Sequence, residues 1–249
     1  MKSPSTTAIA LAALLVVSAV TPALSAEPKA GAPAGGGQSQ SKAKETVGSP
    51  NVPVYQPPVR GAPGGRVGGG TRGYTRDTFV LSVLAPDHMG LTVSEQPSLY
   101  WFISGATTLP VELALMDPRK TEPLLEKRLP SPITAGVHRI RLADYGVRLQ
   151  PGVAYRWSVT VVPDTNRRSR DILAGATIEL VDTQADLREK LAKSAKEGLP
   201  FLYAESGLWY DALATVSELI EGAPQEPAFR KQWGALLSQA GLPEFDWPR

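Results

Sequence analysis

The sequence contains no cysteine, and this absence excludes several kinds of chemistry. Without a thiol among its 249 residues, the chain can form no disulfide bond, no cysteine nucleophile, no cysteine-ligated zinc site and no iron–sulfur cluster. A lipid anchor on an N-terminal cysteine is excluded as well. The fold therefore depends on the burial of apolar side chains, even in an oxidising compartment.

Histidine is nearly as scarce, with only His88 and His138 present. The chain also lacks a Gly-x-Ser-x-Gly elbow, a His-Glu-x-x-His pair and a lysine-bearing phosphate loop. Asp87 and His88 could be joined with a serine into a triad, but almost any chain of this size permits that. We therefore expect a protein that is not an enzyme and has no cofactor. Paired carboxylates carry no local signature, so a hydrolase with dispersed carboxylates remains an alternative.

A strong charge imbalance is missing too, since 26 Lys and Arg stand against 24 Asp and Glu. Such a balance gives no global attraction to nucleic acid or to an anionic membrane. We therefore expect no nucleic-acid partner. Beyond the N-terminal segment, no apolar run approaches the length of a transmembrane helix.

That N-terminal segment, residues 1–26, resembles a secretory signal peptide. Lys2 precedes an apolar run from Ala8 to Val20, and Pro22 and small residues up to Ala26 follow. This order of charge, apolar core and small residues predicts export with cleavage after Ala26. The predicted location is the periplasm or the extracellular space, with no transmembrane segment after cleavage.

Residues 27–76 are rich in Gly, Pro and Ala and predict a disordered tether, because they offer little apolar surface to bury. Residues 68–73 match the Gly-x-Gly-x-x-Gly dinucleotide fingerprint, but no strand precedes them and no helix follows. Residues 60–76 carry four arginines. They are interpreted either as a solvated lead-in or as a contact to anionic envelope polymers.

Residues 77–181 contain seven short strand-like runs separated by turn residues, which is typical of an immunoglobulin-like or fibronectin-III-like β-sandwich. The runs are 78–85, 98–103, 111–116, 124–129, 137–142, 154–162 and 172–181. The stretch from Leu149 through Pro151 and Gly152 to Tyr155 resembles the tyrosine corner of fibronectin type III domains. There, the buried hydroxyl bonds to nearby backbone.

Residues 182–249 change to a helical period and predict a small helical segment packed on the sandwich, beginning with a helix over 185–197. Several positions match those of a tetratricopeptide helix pair: Leu199, Tyr203, Gly207, Trp209, Ala212, Val216 and Pro224. One pair is too few repeats to be stable alone. A final helix is predicted over 229–239.

Two groups of residues are candidates for an interaction surface. Arg167, Arg168, Arg170 and Asp171 lie in the predicted loop 164–171, where arginines could hold a carboxylate or sulfate. Ion pairing with Asp164 and Asp171 would instead fix the loop. The second group is Trp209 and Tyr210, which helical spacing makes either core residues or a partner contact. Tyr100 and Trp101 are candidate aromatics for carbohydrate binding.

Five stretches together resemble a bacterial family, domain of unknown function 928, which is abundant in cyanobacteria. They are 61–73 (GAPGGRVGGGTRG), 91–103 (LTVSEQPSLYWFI), 149–159 (LQPGVAYRWSV), 166–171 (NRRSRD) and 204–219 (AESGLWYDALATVSEL). Arg170 departs from the glycine expected in the fourth stretch. The resemblance implies no known activity, cofactor or site.

The sequence therefore predicts an exported, non-enzymatic interaction or scaffold protein of the cell envelope. Its partner would be an unknown envelope protein or an anionic polymer. One alternative is an envelope-polymer-binding or carbohydrate-binding module, and a second is the hydrolase with dispersed carboxylates.

Overall fold

The computed structural model describes residues 51–58, 66 and 80–247. These residues belong to one unit that spans Val47–Arg249. In these ranges the chain is mainly β, in two sheets, with four α-helices toward its C-terminal end. The predicted signal peptide and most of the Gly-rich and Arg-rich stretch lie outside the described residues. The exception is Arg66, whose guanidinium donates to the carbonyl of Ala85 at 3.3 Å.

Eight strands form the two sheets. The three-stranded sheet has the order β1-β3-β6, and the five-stranded sheet has the order β2-β8-β7-β4-β5. In chain order the strands are β1 Leu81–Val83, β2 Gly90–Thr92, β3 Ser98–Ile103, β4 Val111–Met116, β5 Leu125–Arg128, β6 Gly136–Arg141, β7 Ala154–Val161 and β8 Ile172–Leu180. All pairings are antiparallel except that of β2 with β8.

The sequence pattern explains most of these strands. In β4 every second side chain, Val111, Leu113 and Leu115, is buried, as expected for a strand with one face in the core. β2 was not predicted, because three residues are too few to show a period. Its parallel partner, β8, lies far along the chain: Leu91 of β2 faces Glu179 of β8.

Tyr155 lies near the start of β7 and is buried. Its side chain is 1% exposed, and its hydroxyl accepts a hydrogen bond from the backbone N–H of Gln150 at 3.0 Å. Gly152 has φ +72°, a backbone angle that glycine adopts without steric cost. A local hydrogen bond therefore closes the turn from Gln150 to Tyr155 where β7 begins.

The helices are α1 Ala185–Lys193, α2 Leu199–Glu205, α3 Trp209–Gly222 and α4 Pro227–Gln239. The predicted helix 185–197 was too long, because Ser194 is extended and a separate turn covers Lys196–Gly198. Helix α4 begins with Pro227, where a missing N–H costs nothing. The side chain of Glu226 accepts from the N–H of Ala228 at 3.1 Å.

The helical end shares one hydrophobic core with the sheets. Trp209 of α3 donates from its indole N–H to the carbonyl of Leu84 at 3.0 Å. The hydroxyl groups of Tyr100 in β3 and Ser217 in α3 are 2.7 Å apart. These bonds connect α3 to β3 and to the residue that follows β1. The apolar face of α3 therefore lies against the three-stranded sheet.

Residues 51–58, which we call the strap, correct the prediction of a disordered tether for that part of 27–76. Tyr55 is 6% exposed, and its backbone N–H donates to the side-chain oxygen of Gln239 at 2.8 Å. The N–H of Gln56 donates to the carbonyl of Ala204 at 3.0 Å. The strap crosses Gly207, which has φ +72° and no room for a β-carbon, because that atom would lie 2.8 Å from the carbonyl oxygen of Gln56.

Candidate functional site

An open groove of about 630 Å³ lies where the edge strand β2 meets α1 and α2. Its lining is apolar along Leu91 and Val93 beside β2, Val181 after β8, and Leu187 and Leu202 of the helices. Elsewhere in the described part of the chain, the only exposed large hydrophobic side chains are Val54 and Leu173. Leu91, Val93, Val181 and Leu202 are half-buried, so the groove brings several partly accessible apolar side chains together in one concave surface.

The rim of the groove is acidic. Glu179, Asp182, Asp186 and Glu205 lie around it, and Lys190 is the single cation in its lining. Asp182, Asp186 and Glu205 are exposed, whereas Glu179 on β8 is half-buried. Asp186 and Lys190 are one helical turn apart on α1, with their charged atoms 3.8 Å from each other. An apolar floor between separated carboxylates suits a ligand that is both apolar and positively charged.

One wall of the groove is lightly held. In α1 only Leu187 is fully buried, and Leu191 is half-buried. The polar face carries ion pairs within the helix, including Lys193 with Glu189, and exposed pairs of this kind stabilise a helix by less than about 1 kcal/mol. Little free energy therefore opposes a small displacement of this wall.

The floor of the groove is fixed by a buried carboxyl group. Oδ2 of Asp211, in the first turn of α3, accepts from the backbone N–H of Val93 at 3.0 Å. Burial raises the pKa of Asp211 from 3.8 to about 6, although the hydrogen bonds it accepts act in the opposite direction. The bond satisfies an N–H at the end of the edge strand β2, so α3 covers that edge.

A second buried contact joins α3 to the five-stranded sheet. The hydroxyl of Tyr210 accepts from the indole N–H of Trp157 at 2.9 Å and donates to the carbonyl of Thr177 at 3.3 Å. Burial raises the pKa of Tyr210, so the phenol stays protonated. A β-carbon on Gly90 would lie 2.6 Å from the ring of Tyr210, so β2 needs glycine at this point.

The predicted loop 164–171 is held by ion pairs, within the loop and to Glu112 of β4. Arg168 places two nitrogens on the carboxylate of Glu112, at 3.2 and 2.7 Å, and its Nε lies 2.7 Å from Asp171. Arg167 lies 3.9 Å from Asp164. These contacts correspond to the interpretation of the loop as an ion-pair cluster, and they occupy the guanidinium that an anionic polymer would need. Arg170 lies half-buried in the same turn.

The aromatic candidates are in the core rather than on a surface. Trp209 is 0% and Tyr210 1% exposed, so neither presents a ring to a partner. Tyr100 and Trp101 are equally buried, at 0% and 1%, which corrects their assignment as carbohydrate-binding aromatics. Tyr100 and Trp101 are consecutive in β3 and point to opposite faces of the strand, and both faces are buried there. Trp209 and Tyr210 lie in the buried first turn of α3.

Sequence reasoning missed the groove residues and Asp211. Asp211 could have been found, because it is the single charged residue among the apolar residues from Leu208 to Leu213 at the start of a helix. The groove has no local signature, since its walls come from three separate parts of the chain. Among the described residues, no group of three or more His, Asp or Glu side chains is placed to hold a metal ion. No helix in the same ranges is long and apolar enough to cross a membrane.

Comparison with known proteins places the chain in a family. No curated protein matches it in sequence. The family described as Domain of Unknown Function (DUF928) matches residues 67–247, which include both sheets, all four helices and the whole groove except Pro58. Because the match covers well over half of the chain, this protein belongs to the DUF928 family.

Proposed function

We propose that this protein is exported and acts as a non-enzymatic interaction or scaffold protein of the cell envelope, with the groove as its contact surface. The groove is the observation that carries the proposal. It combines a concave shape, apolar side chains in its lining and an excess of negative charge, and these features together favour a binding surface.

Export is supported by the order of Lys2, the apolar run from Ala8 to Val20 and the small residues up to Ala26. The chain also has no cysteine, so its folding does not depend on the redox state of the compartment it reaches. We place the mature protein in the periplasm or outside the cell.

We further infer that the two sheets form an immunoglobulin-like or fibronectin-III-like sandwich and that α2 and α3 form a tetratricopeptide-like pair. The buried hydroxyl of Tyr155 supports the first inference, because it bonds to the backbone five residues earlier in the way a tyrosine corner does. The close approach of the strap to Gly207 supports the second, since the position between the helices must be small. Such a scaffold displays its binding surface at the edge formed by β2.

A hydrolase is the second candidate, because the rim of the groove carries four carboxylates. A carboxyl group that donates a proton at neutral pH needs an apolar, buried setting. Asp182, Asp186 and Glu205 are exposed. Asp211 is buried, but it does not line the groove, and its carboxylate accepts a hydrogen bond from the N–H of Val93. These surroundings favour binding over proton transfer.

Site-specific photo-crosslinking in living cells tests the proposal. A photoreactive p-benzoylphenylalanine replaces Ser206, which is exposed in the groove, and the control replaces Lys127, which is exposed on β5 at the opposite edge of the sheet. We expect a discrete crosslinked species from the Ser206 position in the envelope fraction and none from the Lys127 position. The crosslinked partner, once purified, should bind the mature protein directly.

Two results would contradict the proposal. Equal crosslinking from both positions, or none from Ser206, would show that the groove is not a contact surface. Release of reducing ends from envelope polysaccharide by the purified protein, lost in the variant Glu179→Gln, would favour the hydrolase instead.

A further inference from the structure

The groove offers its ligand two kinds of surface at once. Its floor, formed by Leu91, Val93 and Val181, would bury apolar side chains, and each buried methylene contributes roughly 0.8 kcal/mol. Leu187 and Leu202 extend this apolar surface up the walls formed by α1 and α2. A ligand that fits here carries apolar groups along part of its length.

The rim supplies charge of one sign. Four carboxylates and one ammonium leave three net negative charges around the groove, and Lys190 offsets only its neighbour Asp186. At the edge of an apolar groove, charges attract a complementary ligand more strongly than charges on flat surface do. The ligand therefore carries positive charge as well.

The spacing of the carboxylates indicates what kind of cation binds. In the described part of the chain these groups do not converge into a cluster that could hold a metal ion. Glu179 lies on β8, Asp182 between β8 and α1, Asp186 on α1 and Glu205 at the end of α2, so the carboxylates come from separate parts of the groove lining. Distributed charges of this kind match several cations on an extended or helical peptide, with apolar side chains between them.

We infer that the groove binds a cationic, amphipathic peptide segment of an envelope protein, in which lysine or arginine alternates with apolar residues. This inference names the partner's chemistry and rests on the proposed function. Helix α1 lets the wall adjust to the bound segment, because Leu187 is its only fully buried side chain and Leu191 is half-buried. The buried bond from Val93 to Asp211 keeps the floor in place meanwhile.

Fluorescence anisotropy with a labelled synthetic peptide tests the inference. The probe is a fluorescein-labelled nonapeptide of alternating leucine and lysine, and its control has glutamate in place of every lysine. The mature full-length protein should bind the lysine peptide and not the glutamate peptide. Its affinity should fall as salt is raised, because ions screen the exposed rim.

Variants on the rim separate specific from general attraction. Replacing Asp182 and Asp186 with Asn and Glu205 with Gln in one variant should weaken binding about tenfold, since each exposed charge pair contributes about two- to fivefold. The control Glu126→Gln removes an equally exposed carboxylate on β5 and should leave the affinity unchanged.

Lys190 provides a test in the opposite direction. Lys190→Gln removes the one cation of the lining and frees Asp186 from its ion pair. Binding of the lysine peptide should tighten about two- to threefold, within the range of an exposed pair. Lys127→Gln, on the far edge of the sheet, should change nothing. Damage to the fold cannot mimic an increase in affinity, so this variant gives the clearer readout.

Each other outcome overturns the inference. Equal binding of both peptides, or an affinity that the triple variant leaves unchanged, would show that the rim does not select cations. Binding that emerges only after residues 27–46 are deleted would show that the chain fills its own groove. If the Ser206 crosslink persists in those cases, the proposed function stands and only the partner's chemistry is wrong.

Discussion

The variant Tyr210→Phe tests whether the helical end and the sheets are one cooperative fold. Phenylalanine fills nearly the same volume, so no cavity term arises. The substitution removes a hydrogen bond, because the indole N–H of Trp157 loses the hydroxyl that accepts it at 2.9 Å. Trp157 and Tyr210 are each 1% exposed, so water cannot replace that acceptor. A buried donor left without a partner costs about 1–3 kcal/mol. The carbonyl of Thr177 loses only a bond of 3.3 Å, which adds little.

We therefore expect the free energy of unfolding to fall by about 2 kcal/mol. Equilibrium urea unfolding followed by tryptophan fluorescence measures this, and an unchanged slope would show that the same surface is exposed on unfolding. The control is Tyr203→Phe, because Tyr203 on α2 is half-buried and its hydroxyl has no hydrogen-bond partner among the described residues. If Tyr210→Phe unfolds at the same urea concentration as this control, the bond between α3 and the sheet does not stabilise the fold, and the reasoning is refuted.

Three further predictions concern the buried carboxyl group, the strap and export. The folded-state pKa of Asp211 is raised from 3.8 to about 6, so its contribution to stability is complete below about pH 4 and is lost as the pH rises past 6. Titration of the unfolding free energy should show Asp211→Asn gaining up to about 3 kcal/mol relative to the parent across that interval, and parallel curves would contradict this. Gly207→Ala should cost about 1–2 kcal/mol because of its positive φ, and should speed proteolysis within the strap; an unchanged melting temperature would argue against the close packing. N-terminal sequencing of the accumulated protein should begin at Glu27, and recovery of Met1 would disprove export with cleavage.

The sequence predicted those elements whose own pattern decides their structure. β3, β4 and β7 were placed to within a residue. Alternating burial marks β4 and most of β7, whereas β3 is a short continuous apolar run. Helix α4 was predicted from its apolar period to within two residues at its start. In each case the signal is local, and the core only reinforces it.

The elements that the sequence did not predict depend on distant partners. β2 becomes a strand because β8 supplies a parallel neighbour about ninety residues away. The strap has the composition of a linker, yet Tyr55 packs edge-on against Trp209, with ring centres 5.1 Å apart. Its backbone bonds go to α2 and to Gln239 at the end of α4. No pattern within residues 51–58 could indicate this, because the partners lie roughly 150–190 residues further on.

The groove was hidden for the same reason, since it exists only once β2, α1 and α2 have assembled. The site residues were predicted because their side chains can form ion pairs, hydrogen bonds or ring contacts with a partner. In the structure these side chains form such contacts within the protein itself. Arg168 pairs with Glu112 and Asp171, and Trp209 and Tyr210 bond to Leu84 and Trp157. Residue type alone does not show whether a side chain meets a partner or its own chain.

The account's central claim, that the groove is the contact surface, is tested most directly by mapping where a ligand touches the protein. Amide chemical shifts of the isotope-labelled mature protein are recorded during titration with the leucine–lysine nonapeptide. We predict saturable changes confined to residues 89–93, 179–190 and 202–208, the segments that line the groove together with Pro58. Changes confined instead to loop 164–171, around Arg168, would contradict the claim. They would show that this arginine-rich loop, and not the groove, binds the peptide.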